Sequence, residues 1–231
     1  MRVNEISMSL KPIANKDQDI LKRILNVRLY VIISSRVCRK PILETLQEVI
    51  SGGADAIQLR EKDMSDKEFL SLAMEFRKIT ARSKTLFIVN DRAGIARGVD
   101  ADGLHIGQSD ITMKDARNVI GFNKILGAST HNITQARAAQ QEGADYIGVG
   151  PLFPTATKDY EPPIGLACLK QVQREISIPF VAIGGVNLEN LDEVLEAGGR
   201  RVAICSAIIS SNNITQTTQV FRTRLDALSS I

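Results

Sequence analysis

A chain of 231 residues, 44% of them hydrophobic, can bury a substantial core, and its net charge of +3 is spread too evenly for a nucleic-acid footprint while leaving small phosphorylated molecules as partners. Three cysteines, Cys38, Cys168 and Cys205, form no C-x-x-C pair, which favours reduced thiols in an intracellular setting. No apolar run approaches the roughly 18 residues of a spanning helix, and the N-terminus lacks a basic-then-apolar secretory order, so the expectation is a cytoplasmic protein with no membrane partner.

Residues 1 to 27 form an N-terminal extension. Asp17 and Asp19 beside Lys16, Lys22 and Arg23 do not fit an acid-poor transit peptide, and Ile20, Leu21, Ile24 and Leu25 predict a helix covering the floor of the domain that follows. From residue 28 to 231 the chain alternates between apolar runs of strand length and amphipathic helical stretches. The strands are predicted near Leu29 to Ser34, Ala56 to Arg60, Leu86 to Asn90, Gly103 to Gly107, Ile125 to Ser129, Tyr146 to Gly150, Phe180 to Gly184 and Val202 to Ser206. Helices are predicted between them, as over Ser65 to Ser83, where Asp66 and Glu68 suit the first turn, and over Thr134 to Glu142, closed by Gly143. Gly53 and Gly198 suit the same helix-ending role, and Gly52-Gly53-Ala54-Asp55, Glu142-Gly143-Ala144-Asp145 and Glu196-Ala197-Gly198-Gly199 echo one another just before strands.

Eight strands, each followed by a helix, predict a single-domain (β/α)8 TIM barrel, a fold that typically takes about 250 residues. An open doubly wound sheet ranks lower, because the strands span the whole chain and no G-x-G-x-x-G turn follows the first. In a parallel barrel all strand ends converge on one rim, where such barrels keep their chemistry. Residues distant in sequence therefore become neighbours.

Gln58-Leu59-Arg60-Glu61-Lys62 ends the second strand with two cations and an amide, suited to clamping a diphosphate and hydrogen-bonding a flat heterocycle, or to forming an ordinary solvated strand end. Asn90-Asp91 and Asp110 end the third and fourth strands, so two carboxylates should face each other as a Mg²⁺ pair, with helix capping as the competing reading. Pro151 to Lys158 begins an irregular stretch running to about Ile164, which suits a lid whose Thr155, Thr157 and Lys158 hold a second substrate and the leaving phosphate, or an ordinary proline-stiffened loop. Gly184-Gly185 and Cys205-Ser206 end the last two strands, where barrels bind phosphate on backbone N–H groups and a helix N-terminus, or simply pack tightly. His105, between Leu104 and Ile106, is read as a core histidine bonded to a neighbour, and His131 as rim-placed. Cys205 has no histidine near it in sequence and is read as inert, while Ser129 is either a ligand or a cap.

Together these motifs closely resemble the thiamine-phosphate synthase family from about Leu29 to Ile209. The resemblance rests on the Gln58 to Lys62 and Asn90-Asp91-Arg92 clusters, Asp102 through Asp110, Leu126-Gly127-Ala128-Ser129, Gly148 through Lys158, Ala182 to Gly185 and Ser206-Ala207-Ile208. It implies a transferase of thiamine biosynthesis that joins a hydroxymethylpyrimidine diphosphate to a hydroxyethylthiazole phosphate, releasing thiamine monophosphate and pyrophosphate with one Mg²⁺. By matching motif, Gln58, Leu59, Arg60, Glu61, Lys62, Asn90, Ser129 and Lys158 would contact the pyrimidine diphosphate, with Arg60, Lys62, Lys158 and Ser129 taking part in catalysis. Asp91 and Asp110 would hold the metal, and Thr155, Ala156, Thr157, Gly185, Cys205 and Ser206 would hold the thiazole phosphate. The stretch Asp159-Tyr160-Glu161-Pro162-Pro163 departs from the family's alanine- and glycine-bearing loop.

Two alternatives remain at this level. A related thiazole tautomerase would share the barrel and its phosphate end but transfer a proton without metal, with His131 as base. A silent phosphate-binding barrel would not require the Asp pair. The sequence leaves a homo-oligomer open.

Overall fold

Leu-Tyr-Val-Ile-Ile and Leu-Phe-Ile-Val-Asn are strands buried on both faces, as expected where one face lines a barrel and the other meets helices. The computed structural model describes residues 18–155 and 162–227, with side chains from residue 22. In chain order the elements are α1 (Gln18–Leu25), β1 (Leu29–Ile33), α2 (Ile42–Ser51), β2 (Ala56–Leu59), α3 (Asp66–Thr80), β3 (Leu86–Asn90), α4 (Ala93–Gly98), β4 (Gly103–Ile106), α5 (Met113–Ile120), β5 (Ile125–Thr130), α6 (Ile133–Gln141), β6 (Tyr146–Val149), α7 (Gly165–Glu175), β7 (Phe180–Ile183), α8 (Leu191–Glu196), β8 (Val202–Ile204), α9 (Ser206–Ile209) and α10 (Ile214–Ala227). The eight strands are parallel, each pairs with the next, and β8 closes onto β1 through Leu29 opposite Val202. This is a (β/α)8 TIM barrel. No helix among the described residues is long and apolar enough to cross a membrane.

Strand alternation sorts the apolar residues into two cores. Leu29, Val31, Ile33, Ile57 and Leu59 point outward against the helices, while Tyr30, Ile32, Ala56, Leu86, Ile88, Ile125 and Tyr146 fill the lumen. Ile24 of α1 and Val27 join the lumen group, placing α1 over its floor, whereas Leu25, expected to help, is half exposed. The side chains of Ile20 and Leu21, also expected there, lie outside the described residues.

Helix ends follow their sequence signals. Ser65 caps α3 in a capping box with Glu68, a device worth about 1 kcal/mol. Gly53, Gly143 and Gly198 have φ of 91°, 90° and 95°, the left-handed turn that a β-carbon disfavours, and so explain the recurring glycine before the strands. Several strands stop a residue or two earlier than expected and β5 runs one residue further, the ordinary latitude of element ends.

Candidate active site

The C-terminal ends of the strands open into a cavity of about 1130 Å³. Its floor is made by the last inward-facing residues of successive strands: Gln58 on β2, Asn90 on β3, His105 on β4, Ser129 on β5, Ile183 on β7, and Cys205 just beyond β8. The walls add Arg60, Lys62, Asp91, Asp110, Thr155, Gly185 and Ser206. Most residues expected at the site therefore meet around one space.

Leu59 is different. It is fully buried among the helix-facing residues and does not line the cavity, because its parity is opposite to that of Gln58. Only its main chain can face a substrate. Glu61 lines the cavity wall but spends its carboxylate on the backbone N–H of Ser35 and on Ser35 Oγ at 2.9 Å, tying the β1–α2 loop to the end of β2. Ala156, Thr157 and Lys158 lie outside the described residues. The preceding segment runs along β7, with Leu152 N–H donating to the Ile183 carbonyl and Phe153 N–H to that of Gly184. The start of the expected lid is thus anchored.

Asp91 and Asp110 come together as anticipated, and the capping alternative fails for both. Thr112 caps α5 by accepting from Asp115 N–H, and α4 begins with no side-chain cap. Likewise Asn132, and not Ser129, caps α6. Asp91 adopts φ 62°, an uncommon conformation that Asp tolerates better than most residues, and its carboxylate accepts from Lys62 Nζ at 2.7 Å. The two carboxyl groups also hydrogen-bond each other. Burial and the Asp110 carboxylate together hold Asp91 above the usual carboxylate range despite Lys62. Burial acts on Asp110 in the same sense but is outweighed by the hydrogen bond from Asp91 and by the Gly107 N–H at 2.6 Å, so Asp110 lies low. The two acids lie side by side, one bonded to Lys62 and the other to the Gly107 N–H. Such a donor set, facing a polar cavity, suits Mg²⁺, which takes one or two protein carboxylates and completes its shell with water and phosphate oxygens.

The opposite side of the cavity is lean in side chains. At Gly185, φ 67°, a β-carbon would fall 2.6 Å from the Pro154 carbonyl oxygen, so only glycine lets these two loops approach. Cys205 is nearly enclosed, and burial pushes its thiol up to about 12, so it is a neutral thiol at physiological pH.

The sequence signature of the thiamine monophosphate synthase family matches residues 29–208, most of the chain and all eight strands. The chain belongs to this family. Among its relatives, the thiamine-phosphate synthase of Halalkalibacterium halodurans is 44% identical over 182 residues, covering 78% of this chain and 86% of its own length. That of Chloroflexus aurantiacus is 41% identical over 204 residues, covering 87% and 94%. The thiamine phosphate pyrophosphorylase of Pyrococcus furiosus superposes with a TM-score of 0.81 at 36% identity, covering 87% of this chain and 96% of that one. Family membership makes the chain an enzyme of the transferase class.

Several side chains that border the cavity, among them Tyr30, Tyr146 and Gln108, are given no role by the sequence. Tyr30 and Tyr146 fall within predicted strands, and Gln108, whose Nε2 donates to the Ser129 carbonyl at 2.6 Å, falls within the Asp102 to Asp110 motif. Inward parity with Gln58 and Ser129 was the available signal for the tyrosines, since a buried phenol needs a hydrogen-bond partner. His105 is indeed bonded to neighbours, yet one of its ring nitrogens reaches Ser129 at the cavity floor.

Proposed function

We propose that this enzyme condenses 4-amino-2-methyl-5-(diphosphooxymethyl)pyrimidine with 4-methyl-5-(2-phosphooxyethyl)thiazole, giving thiamine monophosphate and pyrophosphate by a dissociative substitution. The observation that carries the reading is the facing Asp91–Asp110 pair beside Lys62 and Arg60, set opposite a glycine-lined wall in one cavity. Asp91 and Asp110 would hold Mg²⁺, which when bound supplies positive charge to the departing pyrophosphate.

The protein's own groups do the rest. Gln58, Asn90 and Ser129, with main-chain groups at Leu59 and Glu61, hold the pyrimidine flat on the floor, and Arg60, Lys62 and Lys158 neutralise its diphosphate. Thr155, Ala156, Thr157, Gly185, Cys205 and Ser206 hold the thiazole phosphate, largely through backbone N–H groups, so that the thiazole nitrogen faces the pyrimidine methylene carbon. The carbon–oxygen bond to the diphosphate breaks, its electron pair leaves with pyrophosphate, and the nitrogen lone pair forms the new carbon–nitrogen bond. No protein nucleophile is required, in keeping with the neutral thiol of Cys205. The metal-free tautomerase reading finds less support, since it needs no carboxylate pair.

The deciding assay incubates purified protein with both phosphorylated precursors and Mg²⁺, omits each in turn, and follows both products. Pyrophosphate and thiamine monophosphate should appear in equal amounts and only when both precursors are present. Pyrophosphate released from the pyrimidine precursor alone, or no coupled product, would overturn the proposal.

A further inference from the structure

A continuous hydrogen-bonded chain crosses the barrel lumen beneath the cavity, and no step above employs it. Gln58 Nε2 donates to Tyr30 Oη at 2.9 Å, and the hydroxyls of Tyr30 and Tyr146 lie 3.0 Å apart. Tyr146 Oη is 2.9 Å from His105 Nδ1, and His105 Nε2 is 3.0 Å from Ser129 Oγ. Both phenols are fully buried, and Tyr146 packs its ring against those of Tyr30 and His105 at centroid distances of 6.2 and 5.4 Å. The neighbouring strand makes room for it, because a β-carbon at Gly127 would fall 2.2 Å from Tyr146 Cζ. The chain links the two floor residues Gln58 and Ser129 across five strands.

Counting hydrogens assigns its polarity. Tyr30 Oη already accepts from Gln58, so its own proton has Tyr146 Oη as its partner. Tyr146 then spends its proton on His105 Nδ1, which makes Nδ1 the acceptor and Nε2 the N–H that donates to Ser129 Oγ. The reverse order would give Tyr30 two incoming hydrogens and leave its buried proton without an acceptor in the chain, an arrangement that native interiors avoid. Burial also holds both phenols well above the usual tyrosine range, so neither ionises and the order persists at working pH.

We propose that His105 is a positioning residue: held by Tyr30 and Tyr146 as its Nε2–H tautomer, it donates to Ser129 Oγ and so leaves that hydroxyl's own proton to be donated into the cavity. This rests on the reading that Gln58 and Ser129 hold the pyrimidine diphosphate. Its consequence is selectivity, since the Ser129 proton favours an acceptor opposite it, a ring nitrogen or a diphosphate oxygen, over an N–H.

The test has a spectroscopic and a kinetic arm. The chain has two histidines, so ¹⁵N-histidine NMR of the whole protein without substrate, assigned with His131→Gln, reads the His105 tautomer directly. It should show Nδ1 bare and Nε2 protonated. Tyr146→Phe keeps the ring but removes the hydroxyl; it should abolish that tautomer preference and lower kcat/KM for the pyrimidine diphosphate about tenfold, leaving KM for the thiazole phosphate unchanged. In a Ser129→Ala background the same substitution should cost almost nothing further, because the two act in series. A wild-type His105 carrying its proton on Nδ1, or a Tyr146→Phe loss that persists in full alongside Ser129→Ala, would overturn the proposal. Wild-type protein inactive with both precursors would instead sink the functional reading, and the tautomer measurement would still stand on its own.

Discussion

The two rims of the barrel both carry aspartates, and use them in opposite ways. At the N-terminal rim Asp55, Asp102 and Asp145, each just before or at an even-numbered strand, turn a carboxylate back to the start of the strand before it. Asp55 accepts from Leu29 N–H at 3.0 Å, Asp102 from Phe87 N–H at 2.9 Å and Asp145 from Leu126 N–H at 2.8 Å. Each is also paired with arginine: Arg222, Arg23 and Arg77, and Arg117 respectively. At the C-terminal rim Asp91 and Asp110 face each other with a single exposed lysine on one of them. Carboxylates bonded to strand N–H groups and to arginines hold the fold together, whereas the upper pair faces the cavity.

The contrast breaks most visibly at Asp145. Asp145 and Arg117 are both nearly enclosed, so Asp145→Ala should cost about 3–5 kcal/mol of stability by leaving a buried guanidinium unpaired. Urea denaturation measures this directly. A variant as stable as wild type would mean that the lower-rim clasps are ornamental.

Asp91→Asn probes the upper rim. Turnover should fall about a hundredfold or more, the usual size of losing a preorganised contact to developing charge, with the fold intact. Stability should change in the opposite sense to the lower rim. Asp91 is held above its unfolded value, so the stability it contributes is full below the unfolded Asp range and is lost as pH rises through its folded pKa. Asparagine mimics the protonated form and tolerates the same backbone conformation, so without Mg²⁺ the variant should equal or exceed wild type at neutral pH. A variant markedly less stable than wild type there would place Asp91 with the structural carboxylates.

A smaller effect sharpens the same point. If the pair holds Mg²⁺ as proposed, the ion competes with protons there, so its binding should weaken and release protons as the buffer is acidified through the Asp91 range, and Asp91→Asn should erase the release. Calorimetry in buffers of different ionisation enthalpy reads it. Proton-neutral binding would argue that the ion, if bound, sits elsewhere.

Much of this was legible in the sequence. Apolar runs of strand length, punctuated by glycine turns such as Gly53 and Gly143, carry chain direction locally, so the barrel and the rim that gathers Gln58, Asn90, Asp91, Asp110 and Ser129 follow from the order of residues alone. Period-2 parity likewise contained the reason that Leu59 turns away from the cavity while Gln58 faces it. What the sequence could not choose was partners. Whether Asp91 capped a helix or met Asp110, whether Glu61 faced a substrate or Ser35, and whether His105 was inert or joined through Tyr146 to Ser129 were decided by barrel closure. Hydrogen bonds span only about 3 Å, and which side chains fall within that reach depends on strand register and on separations as large as the 116 residues between Tyr30 and Tyr146. Local pattern names the groups that arrive at a rim; only the closed sheet determines which of them touch.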